Sequence, residues 1–97
     1  MRTFMTKYEL IITSSFKKDY KKLLKRKYDI LLLDAVVEKL QDGETLPEHN
    51  KDHALTGNWK GYRECHIAPD WLLVYRIYEK KLILSLTRTG SHSDLGF

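Results

Sequence analysis

The fold of this chain is decided by the stretch WLLVYRIY at residues 71–78. Apolar side chains fall on both faces of this stretch, a pattern that predicts a central strand covered by helices. A charged turn at residues 79–81 leads to a second strand over 82–88, in which the leucines alternate with other residues and share one face. The same alternation places Arg88 in line with these leucines. The two strands therefore form the centre of a predicted sheet.

A third strand is predicted upstream, where charged and apolar side chains alternate over residues 59–67 until Pro69 interrupts the pattern. Glu64 and His66 share one face of this strand, since successive side chains point to opposite sides. Residues 44–58 contain proline, asparagine and glycine with little periodicity. This composition predicts a long surface loop, and loops of that length in small domains are more often functional than decorative.

Two amphipathic helices are predicted before the loop, preceded by a first strand over residues 8–12. The first helix follows the polar capping residues 13–15. Its apolar positions recur with the spacing of one helix face: Phe16, Tyr20, Leu23 and Leu24. The second helix follows Asp29, a capping residue, and ends at Gly43, which tolerates the left-handed conformation of a helix stop.

These elements give the order β-α-α-β-β-β. We expect an α+β fold in which the helix hairpin packs on one face of a small antiparallel-rich sheet and the other face stays partly open. A chain of 97 residues has room for one such domain. We assign this single domain to residues 1–97.

The charge of the chain favours a polyanionic partner. Lysine and arginine total 17 against 13 aspartates and glutamates, a formal net charge of +4. The first predicted helix has a basic face that includes Lys21, Lys22 and Lys25. This face fits the phosphates of RNA or the acidic side chains of a protein partner, and a plain solvated face is the alternative.

The sequence also indicates the cellular compartment of the protein. The single cysteine, Cys65, excludes an intramolecular disulfide, and the segment that follows Met1 has no apolar core of signal-peptide length. No apolar run approaches the roughly 18 residues that a membrane-spanning helix needs. We therefore expect a cytoplasmic protein without a membrane segment.

Three histidines, one aspartate and one arginine are the candidates for chemistry. His53, His66 and His92 flank or lie within the β-rich half, and imidazole suits proton transfer at neutral pH. Asp70 can orient an imidazole, and Arg88 offers a charged fork that matches phosphate oxygens. Such a set suits phosphodiester transesterification, in which a base deprotonates an RNA 2′-OH, that oxygen attacks the adjacent phosphorus, and an acid protonates the leaving 5′ oxygen. This chemistry requires no metal and no cofactor.

Other interpretations stay open. Each histidine is compatible with plain solvation or a satisfied strand position, and Arg88 with a surface ion pair. Zinc-ligand types are present, but adjacent Cys65 and His66 point to opposite faces, and no Cys-x-x-Cys or His-Glu-x-x-His spacing occurs. The absence of glycine-rich phosphate loops and Gly-x-Ser-x-Gly elbows disfavours nucleotide-dependent enzymes and serine hydrolases. A non-catalytic binding module and a metal-dependent nuclease remain as rivals.

Two motifs resemble a known family. The first is KDHAL-x-G-x-WKG-x-RE-x-HI-x-PDWLLVY over residues 51–75, and the second is RTGSHSDL at residues 88–95. Together they are similar to the YafQ branch of the RelE/ParE toxin superfamily, whose topology agrees with the predicted strand-helix-helix start. ParE-type relatives share the fold but act on DNA gyrase without this histidine set, so the histidines favour the nuclease branch.

The resemblance implies a bacterial type II toxin. Such a toxin is a ribosome-dependent mRNA endonuclease that enters the ribosomal A site, cleaves translated mRNA and is silenced by a cognate antitoxin. The resemblance also implies acid-base and substrate-positioning roles for His53, His66, Asp70 and His92. It implies that Arg88 stabilises the phosphate. We expect a monomer when the toxin is free, and an acidic or amphipathic antitoxin segment over the open face of the sheet.

The resemblance further implies substrate contacts. Trp71 corresponds to the active-site aromatic beside Asp70, and Lys60 lies within the first motif. In the family pattern an aromatic residue directly follows the leucine of His-Ser-Asp-Leu, whereas here Gly96 precedes Phe97. We expect RNA contacts from Trp71, Lys60 and Phe97 in the C-terminal half, and from Lys21, Lys22 and Lys25 on the basic face of the first helix.

Overall fold

A helix hairpin and a five-stranded sheet make up the computed structural model, which describes residues 6–97. In chain order the elements are β1 (Glu9–Ile12), α1 (Ser14–Lys25), α2 (Ile30–Gln41), β2 (His53–Ala54), β3 (Arg63–Ala68), β4 (Trp71–Tyr78), β5 (Ile83–Gly90) and α3 (His92–Leu95). The strands lie in the order β1-β5-β4-β3-β2. The predicted α+β class, with the hairpin on one face of a mostly antiparallel sheet, is confirmed.

The central strand is β4, which pairs antiparallel with β3 on one side and with β5 on the other. Its residues from Trp71 to Tyr75 are all buried. A strand buried in this way requires apolar side chains on both faces, which is the pattern of residues 71–78. The prediction that this stretch is the central strand is therefore confirmed.

The two edge strands are β1 and β2, and the helix hairpin carries the chain from one edge of the sheet to the other. Strand β1 pairs parallel with β5. Strand β2 pairs antiparallel with β3 and lies in the segment predicted as a loop, together with two short 3₁₀ turns, Glu48–Asn50 and Gly57–Trp59. A strand of two residues carries no periodicity, so sequence alone did not distinguish it from a loop.

Both predicted helix starts are confirmed. The Thr13 hydroxyl accepts a hydrogen bond from the Phe16 amide, and the Asp29 carboxylate accepts one from the Leu31 amide. Gly43 follows α2 with φ 79°, the left-handed conformation expected of it. The assignment of Leu24 to the buried stripe of α1 was wrong, since this side chain is 52% exposed.

The two faces of the sheet differ in their neighbours. One face of β4 joins both helices in a hydrophobic cluster whose members include Phe16, Leu23, Leu33, Val36, Leu40, Trp71, Leu73 and Tyr75. The opposite face of β4 presents Leu72 and Val74. Their cross-strand partners are His66, Glu64 and Arg88. We call this second surface the open face.

Residues 1–5, which include the segment predicted to lack a signal-peptide core, lie outside the described residues. Within residues 6–97, no helix combines the length and the apolar character that crossing a membrane would require.

Candidate active site

The C-terminal tail is ordered around His92. The last strand, predicted to end at residue 88, continues to Gly90, and α3 follows directly. The Ser91 hydroxyl accepts a hydrogen bond from the Asp94 amide, while the Asp94 carboxylate accepts one from the Ser91 amide. This capping box could have been found from the Ser-x-x-Asp spacing in the motif. It fixes the backbone at His92, the first residue of the helix.

Asp94 also ties this helix to the hairpin. Its carboxylate lies 2.8 Å from the Arg26 guanidinium, just beyond the end of α1. The Ser91 amide, and after it the Arg26 side chain, lower the pKa of Asp94. The tail is thus anchored at both the sheet and the helix hairpin.

The imidazole of His92 is oriented by Asp70. The Asp70 carboxylate accepts a hydrogen bond of 3.0 Å from the His92 amide, and the same oxygen lies 2.5 Å from the ring Nδ1. The amide and then the ring lower the pKa of Asp70, so the carboxylate is ionised at neutral pH. An ionised carboxylate places the proton on Nδ1, which leaves Nε2 as the basic atom of the ring. No described residue forms a hydrogen bond with Nε2.

His66 lies beside this pair. The ring centroids of His66 and His92 are 5.8 Å apart. His66 is held through its backbone, because its carbonyl accepts a 2.8 Å hydrogen bond from the buried Asn50 side chain. Two of the three predicted histidines therefore converge with Asp70 at one end of the sheet.

His53 is placed by β2 against the next strand. Its Nδ1 is 2.7 Å from the Lys51 carbonyl, and its Nε2 is 3.5 Å from the Glu64 carboxylate. Glu64 is the direct cross-strand partner of His53 and is buried. Glu64 was not among the residues predicted to have a role, although the alternation of the strand placed it on the same face as His66.

The residue before His53 anchors β2 to the core. The Asp52 carboxylate accepts a 2.6 Å hydrogen bond from the Tyr75 hydroxyl and a 3.3 Å one from Arg63 Nε. Burial, and then the hydrogen bond to Asp52, raise the pKa of Tyr75, so the phenol stays protonated and donates. Asp52 therefore positions His53 through the backbone, a role that the sequence analysis missed.

A bulge in β5 decides where Arg88 lies. Leu86 pairs with Tyr75, whereas Arg88 pairs with the preceding residue of β4, Val74. Thr87 is thus an extra residue, and it reverses the alternation of side chains. Arg88 shares the open face with Val74. The prediction that Arg88 lies in line with the leucines was wrong for this reason.

The Arg88 guanidinium is held by a buried carboxylate from α1. Its Nε lies 2.7 Å from Asp19 Oδ2 and its Nη2 3.2 Å from Oδ1, while the Thr89 amide donates to Oδ2 at 3.0 Å. The Asp19 side chain raises the pKa of Arg88. Asp19 was not among the predicted site residues. Its position three residues after Phe16 and four before Leu23, on the buried stripe, was the available signal.

Thiol chemistry is disfavoured at this site. Cys65 is fully buried, and burial raises its pKa to about 12, so the thiol stays protonated. Within residues 6–97, no three histidine, cysteine, aspartate or glutamate side chains are grouped so that they could hold a metal ion.

A protein-family model described as the bacterial YafQ toxin of type II toxin-antitoxin systems matches residues 8–96. The chain belongs to the YafQ toxin family. It is 37% identical over 92 residues to the mRNA interferase toxin YafQ of Escherichia coli K12, covering 94% of this chain and 98% of the relative.

Solved structures of toxins agree with this membership. The E. coli DinJ-YafQ toxin-antitoxin complex matches with a TM-score of 0.84 at 36% identity, over 92% of this chain and 97% of that one. A metal-bound toxin from Helicobacter pylori matches with a TM-score of 0.86 at 43% identity, over 91% of this chain and 98% of that one. The YafQ fold is therefore shared over nearly the whole chain.

Not all of the residues expected to contact the substrate lie at the surface of this YafQ-family protein. Trp71 is 4% exposed, donates from Nε1 to the Thr89 hydroxyl at 3.0 Å and packs edge-on against Tyr28. A direct stacking role for Trp71 is therefore incompatible with the structure, because its ring belongs to the core beneath the hairpin. It supports the neighbouring Asp70 from within.

The other expected contacts are accessible. Phe97 is 44% exposed and packs edge-on against Trp59, which precedes the exposed Lys60. Lys21, Lys22 and Lys25 are exposed on α1, which packs on the sheet face opposite to His66. The C-terminal end of α1 also contacts α3, which begins with His92, through the ion pair between Arg26 and Asp94.

Proposed function

We propose that this protein is a ribosome-dependent mRNA endonuclease toxin that inhibits translation by cleaving mRNA in the ribosomal A site. The observation that carries the proposal is the His92 imidazole, whose Nδ1 is held by Asp70 and whose ring lies next to that of His66. The family membership and the relative named an mRNA interferase toxin support the same activity.

His92 serves as the general base. Its Nε2 takes the proton of the RNA 2′-OH, and Asp70 stabilises the imidazolium that forms. The freed 2′ oxygen bonds to the adjacent phosphorus while the bond from phosphorus to the 5′ oxygen breaks. The products are a 2′,3′-cyclic phosphate and a 5′-hydroxyl.

His66 supplies the proton for the leaving 5′ oxygen. Its ring centroid lies 5.8 Å from that of His92, so one phosphodiester can contact both imidazoles. Arg88 stabilises the charge that grows on the phosphate oxygens, and it does so from a fixed position, because Asp19 holds Nε and Nη2. His53 lies on the same face and contributes to substrate positioning.

The partners follow from the family and from the charge of the chain. The exposed lysines of α1 provide electrostatic attraction to ribosomal RNA. A cognate antitoxin silences the toxin, as the E. coli toxin-antitoxin complex of a relative supports. We place the free toxin as a cytoplasmic monomer with one domain over residues 1–97.

The test is primer-extension mapping of a reporter mRNA in a reconstituted translation reaction, with and without ribosomes. Wild type is expected to cut only on ribosomes, and His92→Ala is expected to cut at least about a hundredfold more slowly. If wild type binds ribosomes but does not cut, the enzyme proposal fails and the binding-module alternative replaces it.

A second part of the test treats the toxin with a chelator, in order to distinguish the proposed mechanism from metal-dependent cleavage. This alternative is worth testing because a similar toxin from Helicobacter pylori has a metal-bound crystal structure. The proton transfers assigned to His92 and His66 predict that cleavage continues after EDTA treatment of the toxin. The magnesium required by the ribosomes is restored before mixing. Loss of cleavage that zinc or copper, but not magnesium, restores would overturn the metal-free mechanism.

A further inference from the structure

A cavity of about 470 Å³ lies beside His66, between the 3₁₀ turn Glu48–Asn50 and the end of β3. Its lining is His49, Lys51, His66, Ile67, Ala68 and Pro69. The volume falls within the range of roughly 300–1,000 Å³ that is typical of small-molecule sites. His66 belongs to both the cavity and the proposed catalytic centre, so any ligand in the cavity lies next to the reacting phosphate.

The two walls of the cavity differ in chemistry. His49 and Lys51 come from the segment between α2 and β2, and they supply an imidazole and a permanent positive charge. Ala68 and Pro69 come from the end of β3 and supply an apolar surface. Among the described residues, no carboxylate lines the cavity. This combination matches a nucleotide, which carries a flat base and an anionic phosphate.

The cavity is built into the fold. Asn50 lies between His49 and Lys51, is 5% exposed, and donates a 2.8 Å hydrogen bond across to the His66 carbonyl. Lys51 has φ 49°, a left-handed conformation that is uncommon for a lysine. Its amide donates to the Glu48 carbonyl at 2.9 Å, which closes the turn. The spacing between the two walls is therefore set before any ligand binds.

We propose that this cavity is a subsite for the RNA nucleotide adjacent to the cleaved bond. The base rests against Ala68 and Pro69 with the His49 ring beside it, and Lys51 attracts the phosphate. The subsite rests on the proposed function and deepens it, because base contacts here determine part of the cleavage-site preference. An RNA chain whose reactive phosphate lies at His66 has its neighbouring nucleotide within reach of the cavity.

The first experiment measures single-turnover cleavage on stalled ribosomes that present a defined A-site codon. Wild type, His49→Ala and Lys51→Gln are compared, with Lys80→Gln as the matched control because Lys80 is exposed in the turn between β4 and β5. We expect each cavity variant to cut about tenfold more slowly, the size of one lost base or phosphate contact. His49→Ala should also change the ranking of the four bases at one position beside the cut.

The second experiment uses a 2′-deoxy dinucleotide, which cannot undergo the proposed cleavage, and the isolated protein. Its binding is followed by NMR shifts of the His49 and Ala68 signals, which should respond in wild type and Lys80→Gln but far less in Lys51→Gln. A wild type that binds the dinucleotide here yet cuts no mRNA would overturn the proposed function but not the nucleotide site. A wild type that cuts mRNA, with cavity variants that match Lys80→Gln in rate and base ranking, would overturn the subsite.

Discussion

Two histidine-carboxylate pairs on this protein combine the same functional groups in different surroundings. In the pair of His92 and Asp70, the carboxylate is 68% exposed and lies 2.5 Å from Nδ1. In the pair of His53 and Glu64, the carboxylate is 9% exposed and the separation is 3.5 Å. In the first pair, Nε2 of His92 has no hydrogen-bond partner among residues 6–97, whereas both nitrogens of His53 face acceptors.

Because of this difference, we assign proton transfer to His92 and substrate positioning to His53. A short contact to an ionised carboxylate fixes the tautomer of His92 and leaves Nε2 to accept a proton. The buried Glu64 carboxylate instead lies near Nε2 of His53, while the Lys51 carbonyl lies near Nδ1, so both ring nitrogens of His53 have a neighbouring acceptor. The surroundings therefore assign different tasks to identical residue types, as in other sites with two carboxylates.

The largest effect is expected from removing the base. His92→Ala should lower single-turnover cleavage on ribosomes by about 10²–10⁴-fold, the usual contribution of a general acid or base. His53→Ala should cost less, because we assign that ring to positioning. Circular dichroism serves as the folding control for both variants. Equal losses for the two variants would remove the distinction between the pairs.

The next test exchanges the carboxylates. Asp70→Asn should lower cleavage by about a hundredfold, since an amide no longer fixes the His92 tautomer or stabilises its charge. Glu64→Gln is the matched variant, and its rate should fall within about tenfold of wild type. The two rates are measured on the same stalled complexes. A larger loss for Glu64→Gln would mean that the buried pair carries the chemistry.

The carboxylate of Asp19 provides a test of whether Arg88 must be held in a fixed position. Asp19→Asn should lower the free energy of unfolding by about 1–3 kcal/mol, because it weakens the buried bonds to the Arg88 side chain and the Thr89 amide. Urea unfolding measures this change, and Asp34→Asn on the exposed surface of α2 is the control. Cleavage should fall as well, since Arg88 loses its fixed position. Full activity in a destabilised variant would remove the positioning role.

A smaller effect is expected at the anchor of β2. Tyr75→Phe deletes the 2.6 Å hydrogen bond to Asp52 and should cost about 0.5–1.5 kcal/mol of unfolding free energy. Cleavage should change in KM more than in kcat, because His53 contributes positioning. An unchanged KM together with a large fall in kcat would mean that His53 takes part in the chemical step.

The smallest effect concerns acid stability. The pKa of Asp70 is lower in the folded protein than its unfolded value of about 3.9, so its contribution is present in full above that pH. The contribution is lost as the pH falls through the lowered folded pKa. Wild type should therefore lose more stability than Asp70→Asn between pH 5 and strongly acidic pH, about the range over which such a group titrates. If the free energy of unfolding fell equally with pH in the two proteins, the prediction would be contradicted.

The sequence by itself determined the elements whose signals are local. Helix caps at Thr13 and Asp29, the stop at Gly43 and the central strand at residues 71–78 were all predicted, because caps and periodicity depend on near neighbours along the chain. Motif resemblance likewise identified the toxin family, which the family match confirmed. The histidines, Asp70 and Arg88 were predicted as a set from their chemistry and from that motif.

Only the tertiary structure decided how that set is arranged. The extra residue at Thr87 moved Arg88 to the open face, and Asp19 met it from a helix 69 positions away. Burial of Trp71 removed it from the surface, while β2 brought His53 against Glu64. Strand register and contacts between distant residues depend on how whole elements pack, and no short stretch of sequence encodes them.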